Sequence, residues 1–146
     1  MKRLAWFLVL MPAVATGQEP DFWTRIHATV ERNLGRPYVW GTSGLKSFDC
    51  SGFVWRVWAD NGVPLKRTTA RKMYFSLPKV SPKEQGNFGT IVFFDNMKHC
   101  GIVNSPRSFY HAQTSKGTNL SDFTPFWRAK VCGYRAIRTT QAPAPR

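Results

Sequence analysis

Trp23, Ile26, Val30 and Leu34 fall three or four residues apart, the spacing of one face of an α-helix. Asp21 stands where an N-cap belongs, and Gly35 stands where a left-handed C-terminal residue ends a helix. Residues 36–48 are rich in turn formers and show little period, which predicts a loop. Cys50, Phe53, Val54, Val57 and Trp58 then form a clean apolar stripe that predicts a second helix, closed by Asp60-Asn61-Gly62. Thr68 or Thr69 is placed to cap a short third helix reaching about Leu77, before Pro78.

After Gly86 the period changes. Residues 90–95, 99–104, 109–114 and 129–138 read as strands separated by turn signals. Helices followed by strands predict an α+β domain, with N-terminal helices packed on an antiparallel β-sheet. The ends read differently. Lys2 and Arg3, an unbroken apolar run over 4–10 and the small residues Ala15-Thr16-Gly17 have the order of a secretory signal peptide over residues 1–17. The competing reading is an N-terminal membrane anchor. The apolar run is short against the ~20 residues that a permanent span requires, so none is expected. No Cys follows the run, which argues against a lipid-modified start. The domain is expected over 18–138, and the Pro- and Ala-rich residues 139–146 are expected to form a disordered tail.

The chain has 146 residues, a length that supports one domain with a real core. Lys and Arg number 21 against 8 Asp and Glu, a net charge of +13. Such an excess favours an anionic partner without naming it. Nucleic acid is a poor match, because the basic residues are scattered and no recognition motif is present. For an exported chain, in the periplasm or outside the cell, the expected anionic surfaces are envelope polymers and lipids. Cysteines number three, so export leaves at least one thiol free or bridged to another molecule.

Cys50 falls on the first turn of the second predicted helix. The partial positive charge and unpaired N–H groups there favour a thiolate, the nucleophilic form; the alternative is a structural Cys buried on the stripe. His99 opens one predicted strand and His111 lies in the next, joined by a turn near 104–107. Hairpin pairing allows both imidazoles to share a face, the layout of a base oriented by a second polar group. The alternative is two unrelated surface histidines. A zinc site built from Cys50, His99, Cys100 and His111 is disfavoured, because adjacent strand residues point to opposite faces. His27 lies on the polar flank of the first helix and carries no role. A Cys100–Cys132 bridge is allowed by parity, and free packed thiols are the default.

Pro37-Tyr38-Val39-Trp40-Gly41 and Phe48-Asp49-Cys50-Ser51-Gly52-Phe53-Val54 resemble the signature of the NlpC/p60 cell-wall cysteine peptidases. Arg67-Thr68-Thr69, Ile91-Val92-Phe93-Phe94, His99-Cys100-Gly101-Ile102-Val103 and Tyr110-His111-Ala112 resemble further family segments in the expected order, so the likeness spans about 23–137. It implies a papain-like α+β fold, with Cys50 as nucleophile, His99 as general base and His111 as its orienting partner. It also implies substrate contact by Tyr38 and receipt of the stem peptide's amino end by Asp49 and Ser51. Trp40 is expected in the core, and Arg67 in a structural or substrate-binding role. Thr90 and Thr42 depart from the usual family Asp and Gly; Thr42 is expected to reshape the substrate groove. The implied activity is hydrolysis of peptidoglycan stem-peptide amides, between γ-D-glutamate and the diamino acid, by a monomer that needs no cofactor or metal. The same residues also fit a catalytically silent wall-binding module or a papain-like acyl or amide transferase.

Overall fold

The computed structural model describes residues 17–44, 46–138 and 140. The signal-peptide reading falls outside these residues apart from Gly17, and the tail reading does so apart from Thr140. Helix α1 (Phe22–Arg32) starts at Asp21, whose carboxylate accepts the N–H groups of Trp23 and Thr24. Helix α2 (Cys50–Ala59) starts at Asp49, whose Oδ1 accepts the Gly52 N–H at 2.6 Å. Helix α3 (Ala70–Ser76) is capped by Thr69. In each case a short polar side chain replaces the missing intrahelical acceptor of the first turn.

Five strands follow: β1 (Ile91–Phe94), β2 (His99–Ser105), β3 (Ser108–Gln113), β4 (Gly117–Asp122) and, after helix α4 (Pro125–Lys130), β5 (Val131–Arg135). They form one antiparallel sheet in the order β4-β3-β2-β1-β5. The α+β expectation matches this architecture of helices against an antiparallel sheet. The sequence reading missed β4 and α4, and it placed Ala129 and Lys130 in a strand although they end α4.

Both faces of the sheet are covered, which explains the uninterrupted apolar run of β1: all four of its residues are buried. One face contributes Ile91, Phe93, Cys100 and Ile102 to the main core. There they meet Ile26 and Val30 of α1 and Phe53, Val54, Val57 and Trp58 of α2. The other face contributes Val92, Phe94, Val103 and Phe109 to a smaller core, closed by Phe123 and by Trp127 of α4. Burial of one large apolar side chain is worth about 1.5–3 kcal/mol, so α4 is held by Trp127 rather than by its six-residue length.

Two glycines are dictated by close approach near the sheet's functional end. A Cβ on Gly52 would lie 2.1 Å from the Thr42 carbonyl oxygen, where the 36–48 loop crosses the first turn of α2. A Cβ on Gly101 would lie 2.6 Å from the Tyr110 carbonyl oxygen and 3.2 Å from the His111 Cβ.

Candidate active site

Cys50 is the first residue of α2 and His99 the first of β2, so helix and sheet bring the two together at their ends. The Cys50 side chain is buried, and its Sγ lies 3.8 Å from the Lys98 carbonyl oxygen. The Cys50 N–H belongs to the unpaired first turn and has no protein acceptor among the described residues.

The β2–β3 register puts Val103 opposite Phe109 and Ile102 opposite Tyr110. His99 and His111 therefore project from the same face, as the hairpin reading required. His99 Nε2 and His111 Nδ1 are 2.8 Å apart. Since that nitrogen of His99 is engaged, Nδ1 is the one left for Cys50. His111 Nε2 lies 2.9 Å from Ser121 Oγ on β4. The indole of Trp127 lies nearly parallel to the His99 ring at 5.8 Å and edge-on to His111 at 5.0 Å. This aromatic contact was missed in the sequence because α4 itself was missed.

Cys100 projects from the other face of β2 and is fully buried. That face is the one against α2, so Cys100 stands beside Cys50. Cys50, Cys100 and Cys132 are all free thiols, and Cys132 is exposed.

The electrostatics separate the roles of these groups. The Cys50 thiol is pushed down to about 5, foremost by a hydrogen bond from the Cys100 thiol. Burial opposes the shift, whereas hydrogen bonding and charge from His99 and the Cys100 backbone reinforce it. Cys100 moves the other way, because it bonds to the Cys50 sulfur in a buried place, and it keeps its proton. Burial, then the charge of His99, pushes His111 down to about 3, so His111 stays neutral. Burial and the nearby Cys50 and Asp49 raise Tyr38, which keeps its hydroxyl proton. An acid whose ionisation is favoured in the fold is charged at lower pH than when free. Alkylation of Cys50 by iodoacetamide is therefore expected to rise through pH 5. An ordinary thiol would titrate near about 8.5, and a midpoint there overturns the assignment.

Two hollows flank the Cys50–His99 pair. One, of about 740 Å³, is lined by Tyr38, Asp95, Lys98, His99, Trp127 and Lys130 among others. The other, of about 780 Å³, is lined by Trp40, Asp49, Cys50, Ser51, Arg67 and Lys98 among others. Lys98 borders both. It follows three residues of left-handed backbone: Asp95 at φ 51°, Asn96 at 53° and Met97 at 64°. Such a run is unfavourable for residues with a Cβ. The end of α4 holds it. The Asp95 N–H donates to the Lys130 carbonyl at 3.0 Å, and Lys130 Nζ reaches Asp95 Oδ1 at 2.7 Å.

The structure places Tyr38, Asp49 and Ser51 around the pair. Asp49 is buried, and its carboxylate is heavily engaged. It accepts from the Gly41 N–H at 3.0 Å, Ser51 Oγ at 3.2 Å and Arg67 Nη2 at 3.0 and 3.1 Å, besides the Gly52 N–H. Arg67 Nη1 also donates to Ser51 Oγ at 3.1 Å. Arg67 thus holds the wall of the second hollow. Trp40 corrects the core-packing expectation: it is 80% exposed on the rim of that hollow. The chain turns outward there at Gly41, whose φ is +75°. Thr42 gives its backbone carbonyl to the Asp49 N–H at 3.0 Å, and its hydroxyl donates to the Val39 carbonyl at 2.8 Å. Thr90, in place of the family Asp, donates from Oγ1 to the Glu84 carbonyl at 2.9 Å. Among the described residues no group of three or more His, Cys, Asp or Glu side chains is placed to hold a metal ion.

The chain resembles known proteins in sequence and in fold. A probable endopeptidase p60 of Listeria seeligeri is 40% identical over 91 residues, 60% of this chain and 17% of its own length. The bifunctional muramidase/DL-endopeptidase CwlT of Bacillus subtilis is 30% identical over 126 residues, 81% of this chain and 37% of its own length. The chain thus spans 17% and 37% of the length of these two relatives. An NLP/P60 family structure from Staphylococcus aureus superposes with a TM-score of 0.72 at 26% identity, covering 90% of this chain and 46% of that one. The sequence pattern of the NlpC/P60 family matches residues 35–136, most of the chain, which therefore belongs to this family of cysteine peptidases.

Proposed function

We propose that the protein is an exported endopeptidase that hydrolyses an amide in the stem peptides of peptidoglycan, between γ-D-glutamate and the diamino acid. The observation that carries this reading is the buried Cys50 sulfur at the tip of α2, its charged form favoured by an imidazole that is held by a second, neutral one. The similarity to the probable peptidoglycan endopeptidase LytE of Bacillus subtilis, 32% identical over 105 residues, supports the substrate class.

In this mechanism the Cys50 thiolate attacks the amide carbonyl. The Cys50 N–H receives the developing oxyanion, a contribution of about 3–4 kcal/mol per donor in comparable sites. Protonated His99 gives its proton to the leaving amine, and then takes one from the water that releases the acyl group. His111 stays neutral throughout and keeps the His99 ring in place. Tyr38 borders the leaving-group side. Asp49 and Ser51 receive the amino end of the stem peptide on the acyl side, with Arg67 paired to the same carboxylate. No helix among the described residues is long and apolar enough to cross a membrane. The net charge of +13 supports attraction to anionic envelope polymers.

Mass spectrometry of purified muropeptides after digestion tests the reading. The expected products are disaccharides ending in D-glutamate and peptides with a new diamino-acid amino terminus. Cuts elsewhere in the stem overturn the bond assignment, and undigested muropeptides overturn the activity.

A further inference from the structure

Beyond the imidazole pair, the polar chain continues into β4. Ser121 Oγ lies 2.9 Å from His111 Nε2 and 2.9 Å from Asn119 Oδ1. Asn119 Nδ2 lies 2.8 Å from the Gly117 carbonyl oxygen and 3.4 Å from Gln113 Oε1. The Gly117 carbonyl is a pure acceptor, which fixes the Asn119 amide with its nitrogen toward Gly117 and its oxygen toward Ser121. An amide oxygen only accepts, so the Ser121 hydroxyl proton points at Asn119. Ser121 Oγ then has only lone pairs to offer His111, and the His111 ring proton must sit on Nε2. A neutral imidazole carries one N–H. Nδ1 of His111 is therefore bare and accepts from the His99 Nε2–H. The remaining nitrogen of His99, Nδ1, is thereby presented to Cys50.

We propose that Ser121 and Asn119 are positioning residues that fix the proton arrangement of both imidazoles, with Asn119 orienting Ser121, Ser121 orienting His111, and His111 orienting His99. The proposal rests on the roles given above to Cys50 and His99. The β3–β4 ladder builds it in, since His111 pairs with Asn119 and Phe109 with Ser121. Asn119 and Ser121 thus lie on the face that carries His111. The burial that keeps His111 neutral is what gives its single proton a definite place. Were that proton on Nδ1, two N–H groups would face each other across the 2.8 Å gap to His99, and the nucleophile's base would lose its orientation. A misassigned tautomer at the corresponding place in a Ser-His-Asp enzyme costs about 10⁴ in rate.

The test combines histidine ¹⁵N spectroscopy with kinetics on muropeptides. In the unaltered protein His111 is expected as the Nε2–H tautomer. In Ser121→Ala it shifts toward a mixture of tautomers, and kcat falls by about 10- to 100-fold, the usual range for removal of an outer hydrogen-bond partner, with KM little changed. Ser121→Thr restores both readouts because it keeps the hydroxyl. Asn119→Ala releases the Ser121 hydroxyl and lowers kcat. An Nδ1–H tautomer of His111 in the unaltered protein, or full kcat in folded Ser121→Ala, overturns the proposal. The spectroscopic readout needs no turnover. If Cys50→Ala retained cleavage, the catalytic reading would fail while the tautomer result stood separately.

Discussion

Cys50→Ala is expected to lose cleavage of purified muropeptides by at least about 10⁴-fold, since removal of the nucleophile from such a relay leaves only binding and oxyanion stabilisation. The fold is expected to survive. Helix α2 is capped by Asp49, whose bond to the Gly52 N–H does not involve the Cys50 side chain. Ala also has the better intrinsic preference for a helix. The two effects separate cleanly: release of peptide followed by mass spectrometry disappears, while the thermal unfolding midpoint stays near that of the parent. Cys50→Ser makes the same point chemically. A serine hydroxyl in this place is not ionised at neutral pH, whereas the thiol is held in its charged form by Cys100 and His99. Cleavage retained in Cys50→Ala would remove the sulfur from the mechanism.

Asp49→Ala is expected to be the most destabilising single change at the site, at about 3 kcal/mol, because removing one partner of a buried pair strands the other. The Asp49 side chain is 10% exposed and the Arg67 side chain 28%, so the lower end of the 3–5 kcal/mol range applies. The same change removes the α2 cap, a contribution of about 1 kcal/mol that is partly contained in that figure, and leaves the Gly41 N–H without its acceptor. For a chain of this size the loss corresponds to a fall of roughly 10 °C in unfolding temperature. Arg67→Ala is milder. The carboxylate would keep Gly41, Gly52 and Ser51 as donors. Calorimetry on both variants measures the difference, and an Asp49→Ala midpoint within 2–3 °C of the parent, under about 1 kcal/mol, would show that the carboxylate does not hold the loop to the helix.

Much of this was legible before the fold was known. Helices α1 and α2 carry strong 3.6-residue patterns and side-chain caps, and their bounds were read nearly to the residue. Strand alternation and a short turn allowed His99 and His111 to share a face, but did not decide between that and two unrelated surface histidines. Strand β4 escaped because its sequence, Gly-Thr-Asn-Leu-Ser-Asp, has no apolar alternation: its inward positions hold the polar groups that serve His111, and Leu120 faces outward at 49% exposure. Helix α4 escaped because six residues show no period, and Trp127 gains its meaning only from the opposite sheet face. Trp40 was misread because a large aromatic beside a turn has the composition of core; nothing local tells that the loop directs it outward. Strand parity puts Cys100 on the face opposite His99, but parity does not say which face α2 covers.

The placement of His99 and Cys100 as neighbours on β2 has a consequence for how the chain tolerates length change. One inserted or deleted residue in the 95–98 turn, if absorbed by sliding β2 along β1, would exchange the faces of the whole strand. The thiol would then stand where the imidazole belongs, and the imidazole would be driven into the packing against α2. The spacing between Phe94 and His99 is thus part of the catalytic apparatus, and the clamp between Asp95 and Lys130 guards it from a point 35 residues further along the chain.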